Sequence, residues 1–121
     1  MIEAPVGHVD LAPTICHLAG LAVPDWMQGT ALPTTPGDTA THERTITEWQ
    51  DRFDGNDITM RTLYRDGHIC TAYEKTSYYD SGDVGELYDL TDDPLQWRNL
   101  WDDPARQSLK SALIADLYDN L

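Results

Sequence analysis

The stretch GELYDLTDDPLQWRN, residues 85–99, decides the fold of the C-terminal part of this 121-residue chain. It opens with a short predicted strand, Glu86–Leu90, in which apolar and polar side chains alternate. A tight turn follows at residues 91–94, because Pro94 holds its own φ at about −65° and biases Asp93 toward extended backbone. Aspartate side chains in such turns accept hydrogen bonds from nearby backbone N–H groups. The stretch therefore predicts a strand, an acidic turn and then a helix.

Three further strands are predicted upstream of this stretch. The dipeptide Asp66-Gly67 is a strong turn signal, because it favours the type I′ turn of a two-residue hairpin. The connections between the strands are too short to hold crossover helices, which parallel neighbours need. The sheet is therefore predicted to be mainly antiparallel. Its upstream strands are residues 45–49, 58–65 and 68–74, and a polar loop is predicted for residues 50–57.

Two helices are predicted at the ends of the chain. The first, Val9–Ala19, has apolar side chains at helical spacing, and Gly20 is placed to end it in the left-handed conformation. The second has Asp103 as its N-cap and Pro104 at its first position. Its predicted apolar stripe consists of Ala105, Leu109, Leu113, Leu117 and Leu121, with Ala112 widening it.

An irregular connection joins the first helix to the first strand. Residues 21–41 are rich in Pro, Gly and Thr and show no sustained period, and Trp26 and Met27 are predicted to anchor them. Together these elements predict an α+β fold. It consists of a roughly four-stranded antiparallel sheet packed by a C-terminal helix and preceded by an N-terminal helix.

Acidic residues dominate the charge of the chain. Asp and Glu number 21 against 8 Lys and Arg, and the formal net charge is −13. The negative electrostatic field of such a chain repels phosphate groups, so neither nucleic acid nor an anionic membrane is an expected partner. No apolar run reaches the length of about 20 residues that a membrane-spanning helix needs. No basic-then-apolar leader opens the given sequence, so no signal peptide is visible in it.

The residue types that usually carry chemistry are scattered. Cys16 and Cys70 form no CxxC pair and are predicted to be buried free thiols, although a disulfide between them stays open. The acidic pairs at residues 92–93 and 102–103 each precede a proline, so they are predicted to form a turn and a helix cap rather than a metal site. No two histidines have the HExxH spacing. The histidines are His8, His17, His42 and His68.

Two motifs carry a resemblance to a known family. Residues 85–94 resemble the signature near the C-terminus of sulfatases, which reads approximately GELYDL-x-x-DP-x-E-x-x-N-L. A second match is PVGHVDLAPT at residues 5–14, followed by Leu-Ala-Gly at residues 18–20 and by the pair Pro24 and Gly29. The motifs occur in the family's order and at about its spacing. The chain therefore resembles the C-terminal portion of an arylsulfatase-like protein of the alkaline phosphatase superfamily.

The resemblance implies a division of the chain. Sulfatases are similar in fold to alkaline phosphatases, with a large α/β domain followed by a smaller subdomain built from an antiparallel sheet and a helix. Residues 1–41 would then be the N-terminal helix and irregular connection at the tail of the large domain. Residues 42–121 would be the C-terminal subdomain.

The resemblance also implies that the chemistry lies outside this chain. Family members hydrolyse sulfate esters with a formylglycine made from Cys or Ser in a [C/S]-x-[P/A]-[S/A]-R motif, and with a divalent cation, expected to be calcium. Neither Cys16 nor Cys70 begins such a motif. His68 stands where Lys or Arg is common in the family, so no anion-binding role is carried over to it. The chain by itself is expected to hold no cofactor and to be inactive.

The predicted function is a structural C-terminal subdomain of a sulfatase-like hydrolase that borders the active-site cleft. Its expected partner is the remainder of the sulfatase chain, or a second copy paired through the helix Val9–Ala19. Trp49 and Arg52, at the end of the first predicted strand, are candidates to flank the substrate. Two alternatives stay open: a free-standing interaction or dimerisation module, and the C-terminal part of a related phosphodiesterase or phosphonate hydrolase.

Overall fold

One four-stranded sheet and two α-helices make up most of the regular structure of the residues that the structure describes. The computed structural model describes residues 4–35, 38, 42–74 and 84–121. The strands are β1 (Arg44–Phe53), β2 (Asn56–Arg65), β3 (His68–Tyr73) and β4 (Val84–Asp89). The helices are α1 (Leu11–Leu18) and α2 (Gln107–Asp119), preceded by the 3-10 turns His8–Asp10 and Pro104–Arg106. The chain divides into two compact units, residues 1–45 and 46–121.

The sheet is an antiparallel meander with the strand order β1-β2-β3-β4. Leu63 on β2 pairs with Cys70 on β3, and Cys70 pairs with Leu87 on β4. Residues that are directly opposite each other share a face of the sheet, so these three buried side chains form one apolar row. The predicted α+β architecture is confirmed.

The β2–β3 turn has the conformation that its sequence predicts. Asp66 has φ 49° and Gly67 has φ 74°, and both values lie in the left-handed region that a type I′ turn requires. The predicted hairpin is confirmed, with β3 ending at Tyr73.

The loop predicted for residues 50–57 is wrong. β1 runs on to Phe53, and β2 begins at Asn56. Asp54 and Gly55 form a second tight turn with φ 50° and 81°. This Asp-Gly pair is the same signal that predicts the β2–β3 turn. It was missed because the end of β1 is polar, and an exposed edge strand needs no apolar alternation.

The core of the second unit lies between the sheet and α2. Leu63, Leu87 and Leu117 are fully buried there, and Leu100 and Trp101 from the segment after β4 join them. The Lys110 ammonium lies 4.6 Å from the centre of the Trp101 ring, a distance that allows a cation–π interaction.

Only the middle of the predicted α2 stripe faces the core. Leu113 and Leu117 are buried, and Leu109 is partly buried. The other members of the predicted stripe, Ala105, Ala112 and Leu121, are exposed. Ile114, which was not part of the stripe, packs against the core. With about 3.6 residues per turn, a four-residue repeat advances around the helix by about 40° at each step. The ends of such a stripe therefore turn away from the sheet.

The start of α2 follows its sequence signals. An Asp103 side-chain oxygen accepts a hydrogen bond from the Ala105 N–H at 2.9 Å, and Pro104 occupies the first position of the preceding 3-10 turn. The second carboxylate oxygen accepts from the Arg98 guanidinium, also at 2.9 Å. The predicted cap is confirmed, and it also ties the segment after β4 to the helix start.

In the first unit, α1 ends as predicted. Gly20 has φ 69°, and the N–H groups of Gly20 and Leu21 donate to the carbonyls of His17 and Cys16. This is the Schellman arrangement, in which a left-handed glycine satisfies the last carbonyls of a helix. The predicted anchoring role of Trp26 is wrong, because its side chain is 77% exposed. Residues 36–37 and 39–41 of the connection lie outside the described residues.

Candidate functional site

The two residues proposed to flank a substrate lie inside a strand. Trp49 and Arg52 both belong to β1, and the strand-to-loop junction expected there is wrong. Trp49 is 43% exposed. The Arg52 side chain is 73% exposed, and its Nε lies 3.5 Å from a carboxylate oxygen of Asp57. Both side chains reach solvent, and the charge of Arg52 is partly offset by that neighbour.

Strand alternation places Trp49 and Arg52 on opposite faces of the sheet. Ile46 packs against the core, and side chains along a strand alternate between faces, so Arg52 shares the face of Ile46 and Trp49 does not. Glu48, which shares the face of Ile46, contacts Arg61, and Arg61 in turn lies over the ring of Tyr118 on α2. The face of β1 that carries Ile46 is therefore the one that faces α2. The structure therefore does not bring the two candidates together.

The described residues do not fit the cation site of a sulfatase. Among them there is no group of three or more His, Cys, Asp or Glu side chains that could hold a metal ion. Asp93 accepts a hydrogen bond from the Arg98 N–H at 2.8 Å, and Asp103 caps α2. These two carboxylates have the turn and cap roles that the sequence predicts for them.

Neither cysteine is placed as a nucleophile would be. Both are free thiols, with Cys16 half-buried and Cys70 fully buried. Burial raises the pKa of the Cys70 thiol to about 11, so the group stays protonated and unreactive at neutral pH.

His68 is surrounded by oxygen atoms. Its Nδ1 lies 2.9 Å from the backbone carbonyl of Asp66, and its Nε2 lies 3.5 Å from a carboxylate oxygen of Asp89. The guanidinium of Arg106 is also 3.5 Å from Asp89. Nδ1 is engaged by the Asp66 carbonyl, and Nε2 is buried without a hydrogen bond, so His68 presents no exposed donor to an external anion.

The strongest polar centre of the first unit is one buried carboxylate. Asp10 is 1% exposed, and its two oxygens accept hydrogen bonds from the N–H groups of Gly7 and Thr30 at 2.8 and 2.9 Å. His42 Nε2 lies 3.0 Å from the same oxygen that accepts from Thr30. Burial alone would raise the pKa of Asp10, but the hydrogen bonds from Gly7 and Thr30 and the nearby His42 together lower it. The carboxylate therefore joins three separate segments.

Thr14 and Gly29 complete this polar centre. The Thr14 hydroxyl donates to the Asp10 carbonyl at 2.6 Å and accepts from the Leu32 N–H at 2.8 Å. Gly29 lies against the backbone at Val9, where a Cβ would come within 2.0 Å of the carbonyl oxygen. Asp10, Thr14 and Gly29 belong to the match that begins with PVGHVDLAPT at residues 5–14 and ends at Gly29. Sequence reasoning used them for the resemblance and assigned them no role, although their place in the motif was a signal.

The length and apolar character of a helix decide whether it could cross a membrane. In the part of the chain that the structure describes, no helix combines the length and the apolar character that crossing a membrane requires.

The family comparison covers nearly the whole chain. The sequence model of the family described as N-sulphoglucosamine sulphohydrolase, C-terminal, matches residues 1–120. A curated relative, the Delta 4,5-hexuronate-2-O-sulfatase of Bacteroides thetaiotaomicron, is 33% identical over 111 residues. That match covers 84% of this chain but 22% of the relative.

Solved structures share this fold. The structure of a 2-O GAG sulfatase is similar, with a TM-score of 0.77 and 32% identity over 92% of this chain. The match covers 23% of that sulfatase. A phosphonate monoester hydrolase of Agrobacterium radiobacter has a TM-score of 0.71 at 17% identity over 98% of this chain and 25% of its own, and this likeness extends to the fold alone. The chain thus spans less than a quarter of the two sulfatases.

Proposed function

The chain belongs to the family of N-sulphoglucosamine sulphohydrolase C-terminal domains, and from this premise we propose that it is the structural, cleft-bordering part of a longer sulfatase-like enzyme. Of the two sulfatase relatives, the one at 33% identity is named for a hexuronate and the one at 32% identity for a GAG. We therefore propose sulfated saccharides as the substrate class of the longer protein. Formylglycine and the divalent cation would come from its other segments, and no step of the reaction is assigned to the described residues.

The observation that carries this proposal is the exposed apolar face of α1. Leu11, Ile15 and Leu18 lie at i, i+4 and i+7, and they are 51%, 67% and 68% exposed. Isolated exposed apolar residues are normal on a monomer, but a contiguous apolar face marks a surface that contacts another protein segment. Since the chain covers 22% of its curated relative, the proposed partner is the part of the sulfatase missing from this chain.

The polar centre at Asp10 supports a structural role for the first unit. A buried carboxylate with two backbone donors and a histidine holds the connection at Thr30 against the start of α1. Because that arrangement orients the helix without help from its apolar face, the face is left available for the proposed partner.

The proposal is tested by sequencing the genomic DNA upstream of the codon for Met1 and assaying the encoded protein. We expect an open reading frame that carries a formylglycine motif and metal-binding Asp pairs. The longer protein should hydrolyse 4-nitrophenyl sulfate and release sulfate from sulfated saccharides, whereas the 121-residue chain alone should do neither. A ribosome-binding site directly before Met1 would contradict the proposal and favour the interaction module. A preference for phosphonate monoesters would favour the related hydrolase.

Trp49 and Arg52 are proposed to border the cleft of the longer enzyme from separate faces of β1. We expect Trp49→Ala and Arg52→Ala each to raise KM with kcat unchanged, because a contact remote from the reacting atoms binds substrate and transition state alike. Thr47→Ala, an exposed change on the same strand, is the control. Steady-state kinetics on several sulfate esters provide the measurement. Unchanged kinetics for both variants would remove this role.

A further inference from the structure

The turn after β4 presents two apolar side chains to solvent. Leu95 is 73% exposed and Trp97 is 83% exposed. The same segment is tied to the fold immediately afterwards, where the Asn99 side-chain oxygen accepts from the N–H groups of Leu87 and Trp101 at 3.0 and 2.9 Å. Exposure of apolar surface is therefore confined to the tip of the turn.

Hydrogen bonds hold this tip in one conformation. The Asp93 carbonyl accepts from the Gln96 N–H at 3.1 Å, and an Asp93 carboxylate oxygen accepts from the Arg98 N–H at 2.8 Å. Gln96 has φ 56°, a left-handed conformation that is uncommon for residues other than glycine. A strained residue in a well-bonded turn fixes the directions of its neighbours, so Leu95 and Trp97 are preorganised for contact.

We propose that Leu95 and Trp97 form a docking surface for the segment of the longer sulfatase that is missing from this chain. The inference rests on the proposed function, since the occupant is the rest of the same protein. The chain covers 22% and 23% of its two sulfatase relatives, so most of the longer protein is available to cover the turn. The surface belongs to the second unit, whereas α1 belongs to the first.

The charge around the turn selects a protein surface over a sulfated saccharide. Asp92 and Asp102 flank it and are exposed, and Asp93 lies within it. The nearby cation, Arg98, is paired with Asp103 at 2.9 Å. An anionic saccharide would be repelled by this acidic rim. An apolar protein patch with basic groups at its edge complements both the two apolar side chains and the surrounding carboxylates.

Hydroxyl-radical footprinting of the longer protein tests the docking surface. The rate of Trp97 oxidation, read by mass spectrometry, is compared between the folded protein and the same protein unfolded in urea. We expect a several-fold slower rate in the folded protein, because the missing segment covers the indole. Leu95→Ser should weaken that protection by removing half of the apolar contact. Gln96→Asn, the matched control in the same turn, should preserve it, since Asn tolerates the left-handed conformation.

Three results would overturn the proposal. Equal oxidation rates in the folded and unfolded protein would show that Trp97 stays exposed. Protection that disappears on dilution to a monomer, checked by light scattering, would assign the surface to a second copy. Protection gained only on adding a sulfated oligosaccharide would assign it to substrate. Footprinting needs no catalysis, so loss of sulfate-ester activity would count against the proposed function and leave this test unaffected.

Discussion

Replacing Gly85 with alanine is expected to destabilise the second unit by about 3 kcal/mol, at the upper end of the usual cost of overpacking a core. Gly85 is buried on β4, and a Cβ there would lie 2.4 Å from the Thr71 carbonyl oxygen and 2.4 Å from two atoms of the Trp101 ring. Neither neighbour can move cheaply, because one is sheet backbone and the other is a core side chain. The glycine that opens the GELYDL motif is therefore required by packing.

The measurement for Gly85→Ala is the free energy of unfolding in urea, with the slope m expected to stay unchanged. Gly55→Ala is the control. A Cβ at Gly55 meets nothing within 4 Å, but its φ of 81° costs a non-glycine residue about 1–2 kcal/mol. A smaller loss for Gly85→Ala than for Gly55→Ala would contradict the packing argument. In a Trp101→Leu background Gly85→Ala should cost less but should still destabilise, since the clash with the Thr71 carbonyl remains.

Asp10→Ala is expected to weaken the polar centre of the first unit by about 3 kcal/mol. The change leaves the part-buried N–H groups of Gly7 and Thr30 without their acceptor, and at the lower half of the usual cost of about 1–3 kcal/mol for an unsatisfied buried donor the two together give this loss. Amide hydrogen exchange at Thr30 provides the measurement. The loss corresponds to an exchange rate faster by roughly a hundredfold, since about 1.4 kcal/mol is a factor of ten.

Asp25→Ala is the matched control for Asp10→Ala, because Asp25 is an exposed acid in the same connection. It should leave exchange at Thr30 unchanged. The exchange rate at Thr30 in Asp10→Asn should lie between those of the other two variants. The Asn side chain keeps one acceptor oxygen, but its NH₂ group faces a backbone N–H, which is also a donor. Wild-type exchange at Thr30 after Asp10→Ala would show that the carboxylate does not hold the connection.

The Asp10 carboxylate makes the stability of the polar centre depend on pH. The folded state lowers the pKa of Asp10, so its contribution is fully present above the unfolded value of about 3.9. It is lost as the pH falls through the lower pKa of the folded state. Protection of the Thr30 amide should therefore be constant from neutral pH down to about 4.5 and should fall only in stronger acid.

Local signals predicted much of the second unit. Asp66-Gly67 predicted its turn type, and the Asp103-Pro104 pair predicted where α2 begins, because both depend on the conformation of adjacent residues. Asp54-Gly55 carried the same local information and was overlooked among polar residues. The register of β2 with β3 follows from the Asp66-Gly67 turn, since a two-residue turn determines which residues face each other.

Long-range contacts could not be predicted in the same way. The sequence did not indicate that Asp10 would meet Thr30 and His42, or that Trp49 and Arg52 would lie on opposite faces of an extended β1. Nor did it show that Trp101 packs on Gly85 while Trp97, four residues earlier, stays exposed. These outcomes depend on which segments approach each other.

The sequence by itself determined the family resemblance, the antiparallel character of the sheet and the absence of a formylglycine motif. Those properties reside in short motifs, in turn dipeptides and in the residues that follow each cysteine. Only the tertiary structure decided what the motif residues do: Asp10 joins three segments, Gly85 makes room for an indole, and Asp93 fixes a turn with two apolar side chains outward. The reason is physical, because conformational preferences are local whereas burial and hydrogen-bond partners are set by residues distant in the chain.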